Sequence, residues 1–160
     1  MNVIVAVDEN WGIGRNGELL ARISADLRRF KALTTGHAVI LGRKTLQTFP
    51  GGKPLPGREN LIMSTTMDAA PEGARVFRDL DSLLDYAPED AFVIGGETVY
   101  RELLPYCEKV YVTKIHKTFD SDAFFPDLDA LSGWKVTEKE DPLEENGVRF
   151  SYVTYEREEG

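Results

Sequence analysis

The sequence predicts an α/β fold: a mixed, mostly parallel eight-stranded sheet flanked by about four helices, with a C-terminal antiparallel hairpin. Three observations predict it. Apolar, β-rich runs recur along the whole chain. Helical segments alternate with them through the first two-thirds, which calls for crossovers and parallel pairing. The last two runs have no helix between them, only the turn signal Glu145-Asn146-Gly147, which suits an antiparallel hairpin.

Strands are expected near Asn2–Val7, His37–Leu41, Asn60–Ser64, Arg75–Phe77, Ala91–Ile94, Lys109–His116, Trp134–Lys139 and Val148–Glu156. Continuous apolar runs such as Val3–Val7 and Ala38–Leu41 read as strands covered on both faces. The first helix is expected from an N-cap at Ser24 to Gly36, with Leu27, Phe30 and Leu33 as its apolar residues. A short second helix opens at Arg43 or Lys44 and stops before Pro50. A third runs from Asp81 to about Tyr86 and a fourth from Glu97 to Leu104, each halted by a proline. The stretch Asp8–Ile23 carries Gly12, Gly14 and Gly17 without a strong period, and a loop that long inside a small domain is often a functional lid.

A chain of 160 residues suits one domain, here the whole of 1–160, with enough core to need no staples. The single cysteine, Cys107, leaves no internal disulfide and fits a reducing compartment. The start MNVIVAVDENWG has no basic leader and meets Asp8 early, unlike a signal peptide. No apolar run approaches the ~20 residues of a membrane span. The expected location is therefore the cytoplasm. A net charge of −8 opposes general binding to nucleic acid or anionic membrane but leaves room for small anions at local basic clusters.

Four places could carry chemistry. Asp26 falls in the first turn of its helix, where the dipole favours a carboxylate. It shares a stripe with Phe30 and Leu33, so it is expected to look inward while Arg28 and Arg29 point elsewhere. Desolvation there raises a carboxyl pKa and suits proton donation or the binding of an amidine-like group. Gly42-Arg43-Lys44-Thr45 joins a strand to a helix, bringing free amides and two cations to one point that fits a phosphate. Gly95-Gly96, also between strand and helix, permits close backbone approach to a ligand. Lys53-Pro54-Leu55-Pro56-Gly57-Arg58 is a rigid basic turn whose arginine can clamp a carboxylate. Thr113 alternates with Tyr111 and Ile115 and should face an interior. His37, His116 and Cys107 have no metal-ligand spacing, so no metal is expected. The chain has no P-loop and no GxSxG elbow.

Taken in order, these segments resemble dihydrofolate reductase over nearly the full length. The carrying pieces are Gly12-Ile13-Gly14-x-Asn16-Gly17, Ala25-Asp26-Leu27-x-x-Phe30-Lys31, Gly42-Arg43-Lys44-Thr45, Lys53-Pro54-Leu55-Pro56-Gly57-Arg58-x-Asn60, Val93-Ile94-Gly95-Gly96-x-x-Val99-Tyr100, Tyr111-Val112-Thr113 and Asp122-x-x-Phe125-Pro126. The resemblance implies an NADPH-dependent oxidoreductase acting on CH–NH donors, reducing 7,8-dihydrofolate to tetrahydrofolate for one-carbon metabolism and open to antifolates. Hydride would go to C6 and a proton to N5, the proton arriving from solvent under the field of Asp26. It implies a monomer whose one partner is its small-molecule substrate.

By the same resemblance, Asp26 and Thr113 are the catalytic pair. Ile4, Val5, Leu27, Phe30, Phe49 and Ile94 line the pterin pocket, and Arg58 takes the α-carboxylate of the glutamate tail. Arg43, Lys44 and Thr65 meet the 2′-phosphate side of NADPH. Ala6, Ile13, Gly14, Gly42, Thr45, Ser64, Gly95, Gly96, Glu97 and Thr98 complete the cofactor contacts, and the Gly95-Gly96 bond is expected to be cis. Two positions depart from the pattern. Leu20 and Ala21 stand where the family usually has Pro-Trp, and Thr98 stands where an arginine is often found. Two alternatives stay open. One is a ribityl-aminopyrimidine reductase of the same fold, which methotrexate binding would separate. The other is a non-catalytic folate- or nucleotide-binding module.

Overall fold

A computed structural model describes residues 1–16 and 20–158; Gly17, the third glycine of the Asp8–Ile23 loop, lies outside the described residues. The order of elements is β1 (Asn2–Val7), β2 (Gly12–Gly14), α1 (Ser24–Thr34), β3 (Ala38–Gly42), α2 (Arg43–Gln47), β4 (Glu59–Met63), β5 (Ala74–Phe77), α3 (Leu80–Tyr86), β6 (Phe92–Gly95), α4 (Glu97–Leu103), β7 (Lys109–Ile115), β8 (Ala123–Phe124), β9 (Trp134–Lys139), β10 (Leu143–Glu145) and β11 (Val148–Arg157). Short 3-10 turns follow α2 at Pro50–Gly52 and α4 at Leu104–Tyr106. Every strand expected from the sequence is present.

The large sheet is nine-stranded, ordered β10-β11-β7-β1-β6-β3-β4-β5, with β9 also paired to β11. The pairs from β7 through β5 are parallel, and β11 runs antiparallel to β7, β9 and β10. The ninth strand has a plain cause. Pro142 cannot donate to a ladder, so the return strand is broken into β9 and β10, and both pieces pair with β11. The turn between β10 and β11 puts Asn146 and Gly147 at φ 52° and 79°, the left-handed pair that tight hairpins use.

Alternation along β1 divides the interior. Val3, Val5 and Val7 join Ile40, Leu61, Val93 and Val112 under Leu83 of α3 and Val99 and Leu103 of α4. Ile4 joins Val39, Leu41, Ile62 and Phe92 under Phe30 and Leu33 of α1 and Leu46 of α2. The chain therefore leaves β3 toward one face and β6 toward the other. Where neighbouring strands send their connections to opposite faces, a crevice opens at their carboxyl ends, the usual ligand position in such sheets.

The cap of α1 differs from expectation. Ser24 is already helical; Ile23 occupies the cap position and gives no side-chain hydrogen bond. The carboxylate of Glu145, at the end of β10, accepts from the amides of Ser24 (2.6 Å) and Ala25 (3.1 Å) instead. A distant carboxylate thus satisfies the helix start that a local side chain was expected to satisfy.

The loop after β1 is less irregular than its sequence suggests. Gly12 and Gly14 pair with Phe124 and Ala123 in a two-stranded sheet. Buried Asp8 accepts from the amides of Asn10 (2.8 Å), Gly12 (2.8 Å) and Phe119 (3.0 Å). The amide of Asn16 donates to Asp122 at 2.9 Å, and Arg15 pairs with Asp120.

Asn60 fixes the proline turn before β4. Fully buried, it accepts from Leu55 N (3.0 Å) and donates to the carbonyls of Leu55 (2.9 Å) and Arg58 (3.0 Å). Asn60→Ala strands those groups and is expected to cost about 2 kcal/mol. Urea unfolding checks this, with a lower midpoint at unchanged slope; a loss under about 0.5 kcal/mol would show that the turn does not depend on the amide.

Candidate active site

Helix α1 runs alongside the sheet with its first turn over the middle of β7. Thr113, 2 % exposed, stands in register between Ala6 of β1 and Tyr152 of β11. Its hydroxyl donates to Asp26 Oδ1 at 2.5 Å. Asp26 is half-buried on the face carrying Phe30 and Leu33, as the stripe predicts. Burial pushes its pKa up, opposed by the Thr113 hydrogen bond and by the charge of Arg29. The expectation that Arg29 points elsewhere is corrected: its guanidinium stacks 4.0 Å from the centre of the Tyr152 ring, close enough to act on Asp26. The i, i+3 spacing places the two side chains on adjoining parts of one helix face, which the stripe assignment overlooked.

The glycine pair closes the crevice between β6 and α4. The Gly95-Gly96 peptide is cis, and Gly95 has φ 133°, a conformation that side chains rarely adopt. A Cβ on Gly95 would lie 3.4 Å from Thr45 Oγ1 and 3.6 Å from the Tyr100 hydroxyl. Bare backbone is therefore presented beside Thr45 at the start of α2. Tyr100, four residues after Gly96, donates to the Ile4 carbonyl at 2.9 Å. Burial, reinforced by the Asp26 charge, pushes its pKa up, so it stays a neutral donor. Tyr100 thus packs beside the glycine pair within the field of Asp26; the sequence offered it as part of the glycine-pair segment but gave it no role.

Register gathers the basic end. Gly42 pairs with Met63, and Met63 pairs with Phe77, so Arg43, Ser64 and Arg78 follow three adjacent strand ends. Arg43, Lys44 and Thr65 are exposed. The Ser64 hydroxyl accepts from the amides of Thr66 and Met67, both at 3.2 Å. Arg78 donates to the carbonyls of Thr65 (3.2 Å) and Met67 (2.7 Å), which adds a third cation that the motif reading missed. The signal available in the sequence was its position directly after an expected strand. Such a group of cations beside bare backbone fits a phosphate-bearing cofactor.

Arg58 lies at the other end of β4. Its side chain donates to Pro56 O (2.9 Å) and to Thr34 Oγ1 (3.1 Å) at the end of α1, and desolvation draws its pKa down. The eight-residue step from Asp26 to Thr34 places the carboxylate and the guanidinium about 12 Å apart along the helix. Phe30, Leu33, Phe49, Leu55 and Ile94 pack against the cluster between them, and Leu27 is 39 % exposed beside it.

Some expected residues are not gathered there. The Val5 side chain belongs to the opposite face of the sheet from Ile4. The Glu97 carboxylate accepts from the Phe124 amide at 2.5 Å, and Thr98 is exposed. Ala6 packs toward Ile23, Ala21 and Tyr152, while Ile13 borders the other core. Gly14 is buried in its pairing with Ala123.

Comparison with known proteins decides the family. The dihydrofolate reductase profile matches residues 1–157. The chain belongs to the dihydrofolate reductase family. Dihydrofolate reductase of Bacillus subtilis is 37 % identical over 161 residues, covering 98 % of this chain and 94 % of that protein. That of Mycobacterium leprae is 40 % identical over 152 residues, covering 91 % and 90 %. Dihydrofolate reductase from Enterococcus faecalis, solved in complex with NADP(H) and RAB-propyl, superposes with a TM-score of 0.86 at 34 % identity, covering 99 % of this chain and 96 % of that one.

The departures from the usual dihydrofolate reductase pattern also have a place. Ala21 packs beside Ile23 and Tyr152, leaving no indole next to the carboxylate. Trp11 does not replace it, because its ring packs in the opposite core on Phe125 (6.3 Å) and Tyr155 (5.9 Å).

A raised carboxyl pKa has a consequence for stability. A group that holds its proton more tightly when folded contributes stability below its unfolded pKa, and that contribution is lost as pH rises through the folded pKa. Asp26→Asn cannot ionise and keeps an acceptor for Thr113. The variant is expected to melt above the wild type at neutral and alkaline pH, with the difference vanishing in acid. Thermal unfolding across pH checks this; a variant less stable at every pH would show that ionised Asp26 supports the fold.

Proposed function

We propose that the protein catalyses the NADPH-dependent reduction of 7,8-dihydrofolate to 5,6,7,8-tetrahydrofolate. The observation that carries the reading is Asp26, drawn out of water and bonded to Thr113, at one end of an apolar wall that ends in Arg58. A ligand with a hydrogen-bonding ring at one end and a carboxylate about 12 Å away suits that spacing. Dihydrofolate has both.

Each residue then has a task. Asp26 accepts from the amino-pyrimidine edge, and Thr113 holds the carboxylate oxygen that faces β7. Ile4, Leu27, Phe30, Phe49 and Ile94 bury the rings, with Val5 contributing through its backbone, and Arg58 takes the tail carboxylate. Arg43, Lys44 and Thr65, with Arg78, hold the 2′-phosphate. Ala6, Ile13, Gly14, Gly42, Thr45, Ser64, Gly95, Gly96, Glu97 and Thr98 contact the rest of the cofactor. NADPH supplies the hydride that C6 receives. The chain's part is positioning, exclusion of water and a negative field that favours a solvent proton at N5. The protein is read as a single-domain monomer of the cytoplasm that acts without nucleic acid, membrane or metal. Among the described residues no helix is long and apolar enough to cross a membrane.

The loss of NADPH absorbance on adding dihydrofolate tests the reading. Wild type is expected to turn over, and Asp26→Asn to lose about a hundredfold or more in kcat/KM at neutral pH; near-normal rates in the variant would refute the role of the carboxylate. Replacing Arg43 and Lys44 together with alanine should raise the KM for NADPH far more than that for NADH. Equal losses would argue against a phosphate site.

A further inference from the structure

Arg29 is an unusual neighbour for a carboxylate that binds a ligand. It stacks on Tyr152, yet among the described residues no carboxylate forms an ion pair with it. Its Nη1 is buried without a hydrogen-bond partner. Packing alone does not account for this, because a methionine would cover the Tyr152 ring without burying an unmatched donor. Tyr152 faces Thr113 across the β7–β11 ladder, so the platform that carries the cation and the hydroxyl that bonds Asp26 occupy paired positions.

We propose that Arg29 is a positioning residue for the reaction: fixed on the Tyr152 ring, its charge keeps Asp26 ionised in the free enzyme, ready to accept from an amino-pyrimidine. A guanidinium on an aromatic face retains its charge and is held in place without neutralising the carboxylate beside it. The groups facing Asp26 from the surrounding elements are Arg29 on α1, Thr113 on β7, Tyr100 on α4 and Tyr152 on β11, while Arg28 acts on Tyr152 and Glu145. Glu140 acts on Tyr152, and Glu145 caps the helix start near Arg28. Of these, Arg29 is the cation that opposes the effect of burial on Asp26. Its value to catalysis rests on the role proposed for Asp26; the coupling between the two side chains does not.

The test is a carboxyl-carbon NMR titration of Asp26 in the full chain, read beside the pH profile of kcat/KM. Arg29→Met should raise the Asp26 midpoint by about one pH unit. Arg29→Lys should restore most of the shift, and Tyr152→Leu, which frees the guanidinium to solvent, should raise the midpoint in part. The Asp26-dependent limb of the rate profile should move the same way. A midpoint within about 0.2 units of wild type in Arg29→Met, or a lysine variant titrating with the methionine one, overturns the proposal. Should the methionine variant not fold, Arg29→Gln decides by the same criterion. A wild type that titrates as expected but oxidises no NADPH with dihydrofolate would sink the functional reading and leave the coupling standing.

Discussion

The hydrogen bond from Thr113 to Asp26 joins the one helix that carries a ligand-facing carboxylate to the middle of the sheet. Without it, an acidic side chain in the first turn of α1 would be an ordinary favourable charge at a helix start. With it, the carboxylate is turned from solvent toward the crevice, and burial, the hydroxyl and Arg29 together set its charge. The rest of the architecture fixes this pair. β7 is held between β1 and β11, α1 is held by its apolar face, and Glu145 clamps its first two amides.

The opposed exits of β3 and β6 make the second half of the site. They bring Gly95 and Gly96 against Thr45, and the register of β3, β4 and β5 brings Arg43, Ser64 and Arg78 to one edge. A protein of net charge −8 can thus offer a cationic patch to a phosphate, because the strand ends concentrate what the composition disperses. Arg58 stands at the far end of the same strands, so the long axis of α1 measures the distance between ring and tail.

Much of this was legible in the sequence because the signals were local. Apolar runs marked the strands, prolines marked the ends of α3 and α4, and the i, i+4, i+7 spacing of Asp26, Phe30 and Leu33 marked the inward face. The parts that were not legible depend on pairing across the chain. The cap of α1 comes from Glu145, more than a hundred residues away, so Ser24 was the only cap visible locally. Arg29 was assigned away from the carboxylate because periodicity gives the direction of a side chain but not the Tyr152 ring that receives it. Arg78 gains its importance from register and shows in no motif, while Tyr100 stands in the glycine-pair segment but gains its importance from a hydroxyl reaching the Ile4 carbonyl, which a motif does not reveal.

The most direct measurement of the central claim is a crystal structure of the protein with NADP+ and folate bound. The expected result has the pyrimidine edge of folate hydrogen-bonded to Asp26, its tail carboxylate on Arg58, and the nicotinamide ring beside Gly95 and Gly96. Folate bound away from Asp26, or a nicotinamide remote from the glycine pair, would contradict it.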